Sequence, residues 1–159
     1  MTAHRETHSS RCGIVGLAVA SLYEHCHVTM TDLPLAQELI TRNLQGTGCG
    51  RNAAFELLDW DETIPQKLAA IPLDLIVVSD CTYNVSSAPS LVRILSRLAT
   101  QSPSALCLLA HKWRHDSEEE FFQLMNESFK EIDKVQKKLG DVMVDIYIFI
   151  STGLRAQVP

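Results

Sequence analysis

No apolar run in these 159 residues approaches the roughly 18 that a membrane-spanning helix needs. The first eleven residues, MTAHRETHSSR, are polar and lack the apolar stretch of a signal peptide. Positive charge is also scarce, because 14 Lys and Arg stand against 19 Asp and Glu for a net charge of −5. The only basic clusters are Lys112-Trp113-Arg114 and the segment Lys134 to Lys138, too little to hold a phosphate backbone, so no nucleic-acid partner and no membrane partner are expected. The five cysteines (Cys12, Cys26, Cys49, Cys81, Cys107) are odd in number, form no C-x-x-C pair and lie mostly inside apolar runs. That usage excludes a disulfide scaffold and predicts reduced thiols in a cytoplasmic, or also nuclear, protein. Internal repeats, low-complexity tracts, a P-loop and a G-x-S-x-G elbow are all missing.

What is present is an ordinary globular composition, 46% apolar and 21% charged, in a chain long enough for one domain. From Gly13, GIVGLAVASLY carries small residues at 13, 16 and 20, which line one side of a helix and permit close approach to another backbone. His27 to Thr31 reads as a strand, and Asp32-Leu33-Pro34 starts a helix over Leu35 to Leu44. A glycine-rich loop follows over Gln45 to Asn52, then a strand over 53–58 and a helix from about Thr63 to Ala70. Leu73 to Ser79 is an almost continuous apolar run between Pro72 and Asp80, the pattern of a strand buried on both faces. Pro89 to Thr100 repeats Leu91, Ile94, Leu95 and Leu98 at helical spacing, and Ala105 to Ala110 predicts a second buried strand. Ser117-Glu118-Glu119-Glu120 has the form of a capping box opening the helix FFQLMNESF. Asp141 to Ile150 closes the chain as a strand paired with one near Ile132 to Val135.

Strands alternating with helices define a doubly wound, mostly parallel α/β sheet with an antiparallel finish. In this class ligands sit at the carboxyl ends of the strands, which selects Asp32, Asp59-Trp60, the segment Ser79 to Tyr83, and His111-Lys112. Asp32 lies 19 residues after Gly13, a spacing that suits a ribose acid, and helix capping is the alternative. Asp59 and Trp60 offer an acceptor and a stacking surface for an adenine, or else a turn Asp with a partly buried Trp. Asp80 and Tyr83 combine a carboxylate with a phenol three residues on, or are a loop Asp and a packed Tyr. Gly46 to Arg51 has a phosphate-cradle look in the wrong place, since it follows a helix and precedes a strand. His25-Cys26-His27 and His111 with His115 are poor metal sites, the first pointing apart on an extended chain and the second flanked by Lys112 and Arg114, so no metal is expected.

The stretches CGIVGLAVA, VTMTDLP, LLDW, DLIVVSDCTY and LLAHKWRHDSEEEFF, in this order, resemble the class I, seven-strand S-adenosylmethionine-dependent methyltransferases, in particular the methyltransferase-like protein-lysine methyltransferases. The resemblance runs from Cys12 to about Ile150 and implies a Rossmann-like methyltransferase fold over 12–150, between a polar N-terminus (1–11) and a tail (151–159). It implies S-adenosyl-L-methionine as cofactor, with Gly13 the last glycine of the cofactor loop, Asp32 the ribose acid, and Asp59, Trp60 and Ser79 around the adenine. Asp80 and Tyr83 would be the D-x-x-Y pair that borders a lysine channel, Asp80 holding the incoming amine and Tyr83 orienting it. The partner implied is a protein bearing a target lysine.

Where the family's loop reads Glu, apolar, Gly, any, Gly ahead of Cys12-Gly13, this chain has Thr7, His8, Ser9, Ser10 and Arg11. The expectation is therefore an incomplete domain whose first strand is missing, because MTAHRETHSSR cannot form a strand covered on both faces. Two other readings follow: a non-catalytic remnant or interaction module that relies on a stabilising protein partner, and an N-methyltransferase acting on a small amine.

Overall fold

A computed structural model describes residues 13–82 and 84–153. The chain divides into two compact units, one up to Thr63 and one from Ile64 onward. The expectation that residues 1–11 supply no first strand and an altered loop falls outside the described residues.

The first unit runs α1 (Ile14–Leu22), β1 (Val28–Asp32), α2 (Gln37–Thr47) and β2 (Ala53–Leu57). Gly13 precedes α1 at φ 64°, a left-handed conformation open to glycine at little cost. The small-residue stripe does what its spacing implies. A Cβ on Gly16 would stand 2.4 Å from Met30 Cγ, and one on Gly13 would stand 2.8 Å from Met30 Sδ, so both glycines let α1 lie directly on β1. Leu17, Ala20, Met30, Ile40, Leu44, Cys49 and Ala53 form the core of this unit. A 3-10 turn, Pro34–Ala36, leads into α2, with Pro in its first turn where the missing N–H is not needed. The glycine-rich segment is less of a loop than expected. α2 continues through Gly46 to Thr47, and Gly48 at φ 70° stops it, since only there does the backbone turn left-handed. β1 and β2 pair in parallel, Val28 opposite Ala53 and Asp32 opposite Leu57.

The second unit contains α3 (Gln66–Ala69), β3 (Leu75–Ser79), α4 (Ala88–Gln101), β4 (Leu106–His111), α5 (Glu119–Ser128), β5 (Phe129–Leu139) and β6 (Val142–Ser151). Its sheet has the order β3-β4-β6-β5, with β3 and β4 parallel and the rest antiparallel. α4 packs on α5 and β6, and α5 on β5. On one face Ile76, Val78, Cys107, Leu109, Tyr147 and Phe149 are buried.

The expectation that β3 and β4 are buried on both faces is corrected here: Leu75 is 45%, Val77 40% and Leu106 39% exposed. An apolar run shows that a strand tolerates burial on two faces, but not that something covers both. The capping box is corrected as well. No side chain caps α5; Asp116–Glu118 forms a 3-10 turn, and Glu118 is turned inward and 1% exposed. Among the described residues no helix is long and apolar enough to cross a membrane.

Candidate functional site

The selected residues fall into two groups, each within one unit. In the first, Asp32 closes β1 and is buried; its Oδ1 accepts from the Leu33 N–H at 2.8 Å, and its carbonyl accepts from Leu58 N–H at 3.1 Å. Bonding to its own neighbour is not a helix cap, which would reach two or three residues on, so the capping alternative is not what the geometry shows. Among the described residues nothing else bonds this carboxylate, leaving Oδ2 to accept a donor. Asp59 lies two residues past the end of β2, the strand paired with β1. Its Oδ1 accepts from Asp61 N–H at 2.9 Å, closing a tight turn, and Trp60 beside it is half-buried. Gly13 stands against Met30 and Ile40, where a side chain would collide.

The second group surrounds the end of β3. Ser79 pairs opposite Ala110, and Asp80 continues the ladder by donating its N–H to Ala110 O at 3.1 Å. Asp80 has φ 55°, the left-handed region that a non-glycine residue enters only at a cost. The turn carries its side chain out of the sheet, where it is 53% exposed and ion-paired to Arg114 Nη2. Thr82 is buried and hydrogen-bonds His111 Nδ1 at 2.6 Å. Tyr83, the second half of the D-x-x-Y expectation, lies outside the described residues.

His111, selected as a strand-end residue, supports this loop together with Glu118, Trp113 and Phe122, whose part here the sequence did not single out. His111 ends β4 with its ring buried, and its Nε2 is 3.3 Å from Glu118 Oε2 without hydrogen-bond alignment. Burial lowers the His111 pKa, with the Glu118 carboxylate opposing, so the ring is neutral at physiological pH. Glu118 Oε2 also accepts the Arg114 backbone N–H at 3.2 Å. Trp113 and Phe122 stack at 5.0 Å, with His111 edge-on to both. Among the described residues no cluster of three metal-type side chains occurs.

The fold has known counterparts. N-methyltransferase NodS from Bradyrhizobium japonicum, solved with S-adenosyl-l-homocysteine, is 19% identical and superimposes with a TM-score of 0.64 over 86% of this chain and 73% of its own. The mitomycin 7-O-methyltransferase MmcR gives 0.66 at 18% identity over 88% and 46%. An O-methyltransferase family 2 protein from Planctomyces limnophilus gives 0.65 at 14% over 87% and 48%. These likenesses establish the Rossmann-like methyltransferase fold. A UPF0665 family protein of Schizosaccharomyces pombe is 33% identical over 139 residues, 86% of this chain and 41% of that protein. Residues 9–128 match the lysine methyltransferase family, and the chain belongs to it. S-Adenosylmethionine is the cofactor of this family. The chain spans less than half the length of the fission yeast relative, of MmcR and of the Planctomyces limnophilus protein.

Proposed function

We propose that this chain takes part in S-adenosylmethionine-dependent methyl transfer to the side-chain amine of a protein lysine. The observation that carries the reading is Asp80. A carboxylate at the carboxyl end of β3, held in a left-handed turn and already engaging a cation, is built to bind a cationic group. Asp32 is in keeping with this, since it has a carboxylate oxygen left to accept a ribose hydroxyl, and Gly13 would be the last glycine of the cofactor loop. Asp59 and Trp60 would hold the adenine.

When bound, the cofactor supplies an electrophilic methyl group on a sulfonium. The chain's own task is then to place and deprotonate the amine. Asp80 holds the incoming ammonium and Tyr83 orients it. The proton leaves for solvent as the amine loses its water shell, because desolvation lowers an amine pKa. Positioning and water exclusion carry the rate, so neither residue has to be a strong base. The free thiols of Cys26, Cys49 and Cys107 suit a reducing compartment, and we place the protein in the cytoplasm or nucleus.

The test is calorimetric titration of the 159-residue chain with S-adenosylmethionine, beside Asp32→Asn, followed by mass spectrometry of protein extracts and metabolites incubated with methyl-labelled cofactor. Saturable binding weakened at least tenfold by Asp32→Asn, with label on protein lysines lost in Asp80→Asn, is the expected result. Absence of binding by the folded chain would overturn cofactor use. Label confined to small amines would overturn the protein substrate.

A further inference from the structure

The Asp80 carboxylate already has a partner of the charge its substrate would bring. Arg114, in the segment after β4, pairs its Nη2 with Asp80 Oδ1. Two further contacts hold the arginine. Its Nη1 donates to Lys112 O at 3.1 Å, and its backbone N–H donates to Oε2 of the buried Glu118 at 3.2 Å. Glu118 lies beside His111, which bonds Thr82, two residues past Asp80. The backbone on both sides of the ion pair is thus fixed from beneath, while the charged tips reach solvent, 30% exposed for Arg114 and 53% for Asp80.

This arrangement separates a rigid base from an exchangeable tip. A partly exposed ion pair has little net stability, so another cation can displace the guanidinium without disturbing the sheet. An ammonium on a flexible stem and a planar guanidinium compete for the same oxygens. We propose that Arg114 is a positioning residue that acts as an internal competitor for Asp80: it occupies the carboxylate while no acceptor is bound and gives way to the acceptor's cationic amine. The proposal rests on the reading of Asp80 as the amine-binding group. It makes the affinity for the acceptor a difference between two ion pairs, so that a neutral side chain of the same length has nothing with which to displace Arg114.

The probe is Nα-acetyl-L-lysine methylamide, titrated into the 159-residue chain and followed by NMR at the Arg114 side-chain N–H and the Asp80 backbone amide, with the norleucine analogue as the neutral control. Arg114→Gln should bind the lysine probe about 3- to 5-fold more tightly than the unaltered chain. Arg114→Lys should stay within about twofold of it, and Asp80→Asn should lose binding in either background. Norleucine amide should shift none of these signals. Equal affinity in the unaltered and Arg114→Gln chains, weaker binding in Arg114→Gln, or no binding by any form would overturn the proposal. If Arg114→Gln does not fold, Arg114→Met takes its place with the same expectation. Mass spectrometry of methylated products keeps the two readings apart. A probe that displaces Arg114 but is never methylated sinks lysine transfer and leaves the competitor, whereas methylated lysine with unchanged affinity does the reverse.

Discussion

Asp145, on β6, gathers four donors on one carboxylate. Trp113 Nε1 and Lys134 Nζ each lie 3.0 Å from Oδ2, Tyr147 Oη lies 3.2 Å from it, and Gln136 Nε2 lies 2.8 Å from Oδ1. Burial alone would raise its pKa, but the hydrogen bonds from Lys134, Gln136 and Trp113 outweigh burial and hold it below the usual carboxylate range. A carboxyl whose folded pKa is depressed adds stability that is present above its unfolded value, about 3.9, and is lost as pH falls through the folded value. Asp145→Asn keeps the shape and removes the charge. Lys134 is 40% exposed and softens the loss, so the expected cost at pH 7 is about 2 kcal/mol. Urea unfolding should show this gap at pH 7 and show it narrowing at pH 3. An unchanged gap at the lower pH would mean that the charge is not what Asp145 contributes.

At the scale of elements, two glycines with opposite surroundings test how α1 and α2 are built. Gly16→Ala places a methyl 2.4 Å from Met30 Cγ and should destabilise by about 1–3 kcal/mol, since β1 or Met30 has to move. Gly46 sits within α2 with open space at its Cβ position, and Gly46→Ala should stabilise by about 0.5–1 kcal/mol. Denaturant midpoints moving in the same direction for both would refute this account. The same contrast shows what the sequence reveals. Small residues at 13, 16 and 20 announced a close approach, and the apolar periodicity of α4 and the run of β3 located those elements, because period and burial are written locally. The extension of α2 through Gly46 was not legible, since a tolerated glycine and a terminating one differ only in φ. Nor was the burial of Glu118, which read as a capping acid and instead supports the loop carrying Arg114. Asp32 and Asp80 were legible as strand-end carboxylates. Arg114 was not, because its pairing with Asp80 depends on β3 and β4 lying side by side with Ser79 opposite Ala110, a register that no local pattern encodes.

For the whole molecule, the consequential feature is the division at Thr63 and Ile64. Among the described residues the first unit has a two-stranded sheet and a core that includes Ala20, Cys49 and Ala53, which bury little apolar area each. The second has four strands among the described residues and larger buried side chains, including Phe121, Met125, Ile94, Leu109 and Phe149. Stability grows with buried apolar area, and a two-stranded sheet depends heavily on the helices packed against it, so the two units should open at different free energies. Native-state hydrogen exchange reads this residue by residue. The amides of Met30 and Phe55, paired across β1 and β2, should exchange through a lower-energy opening than those of Val78, Leu109 and Tyr147 across β3, β4 and β6. A denaturant series should merge the second set, not the first, with global unfolding. The residues proposed to hold the cofactor's ribose and adenine lie mostly in the first unit, so S-adenosylmethionine that binds there should raise protection in β1 and β2 before it alters β4. Merging of both sets into a single opening without ligand would show one cooperative body and remove the basis for that selective gain.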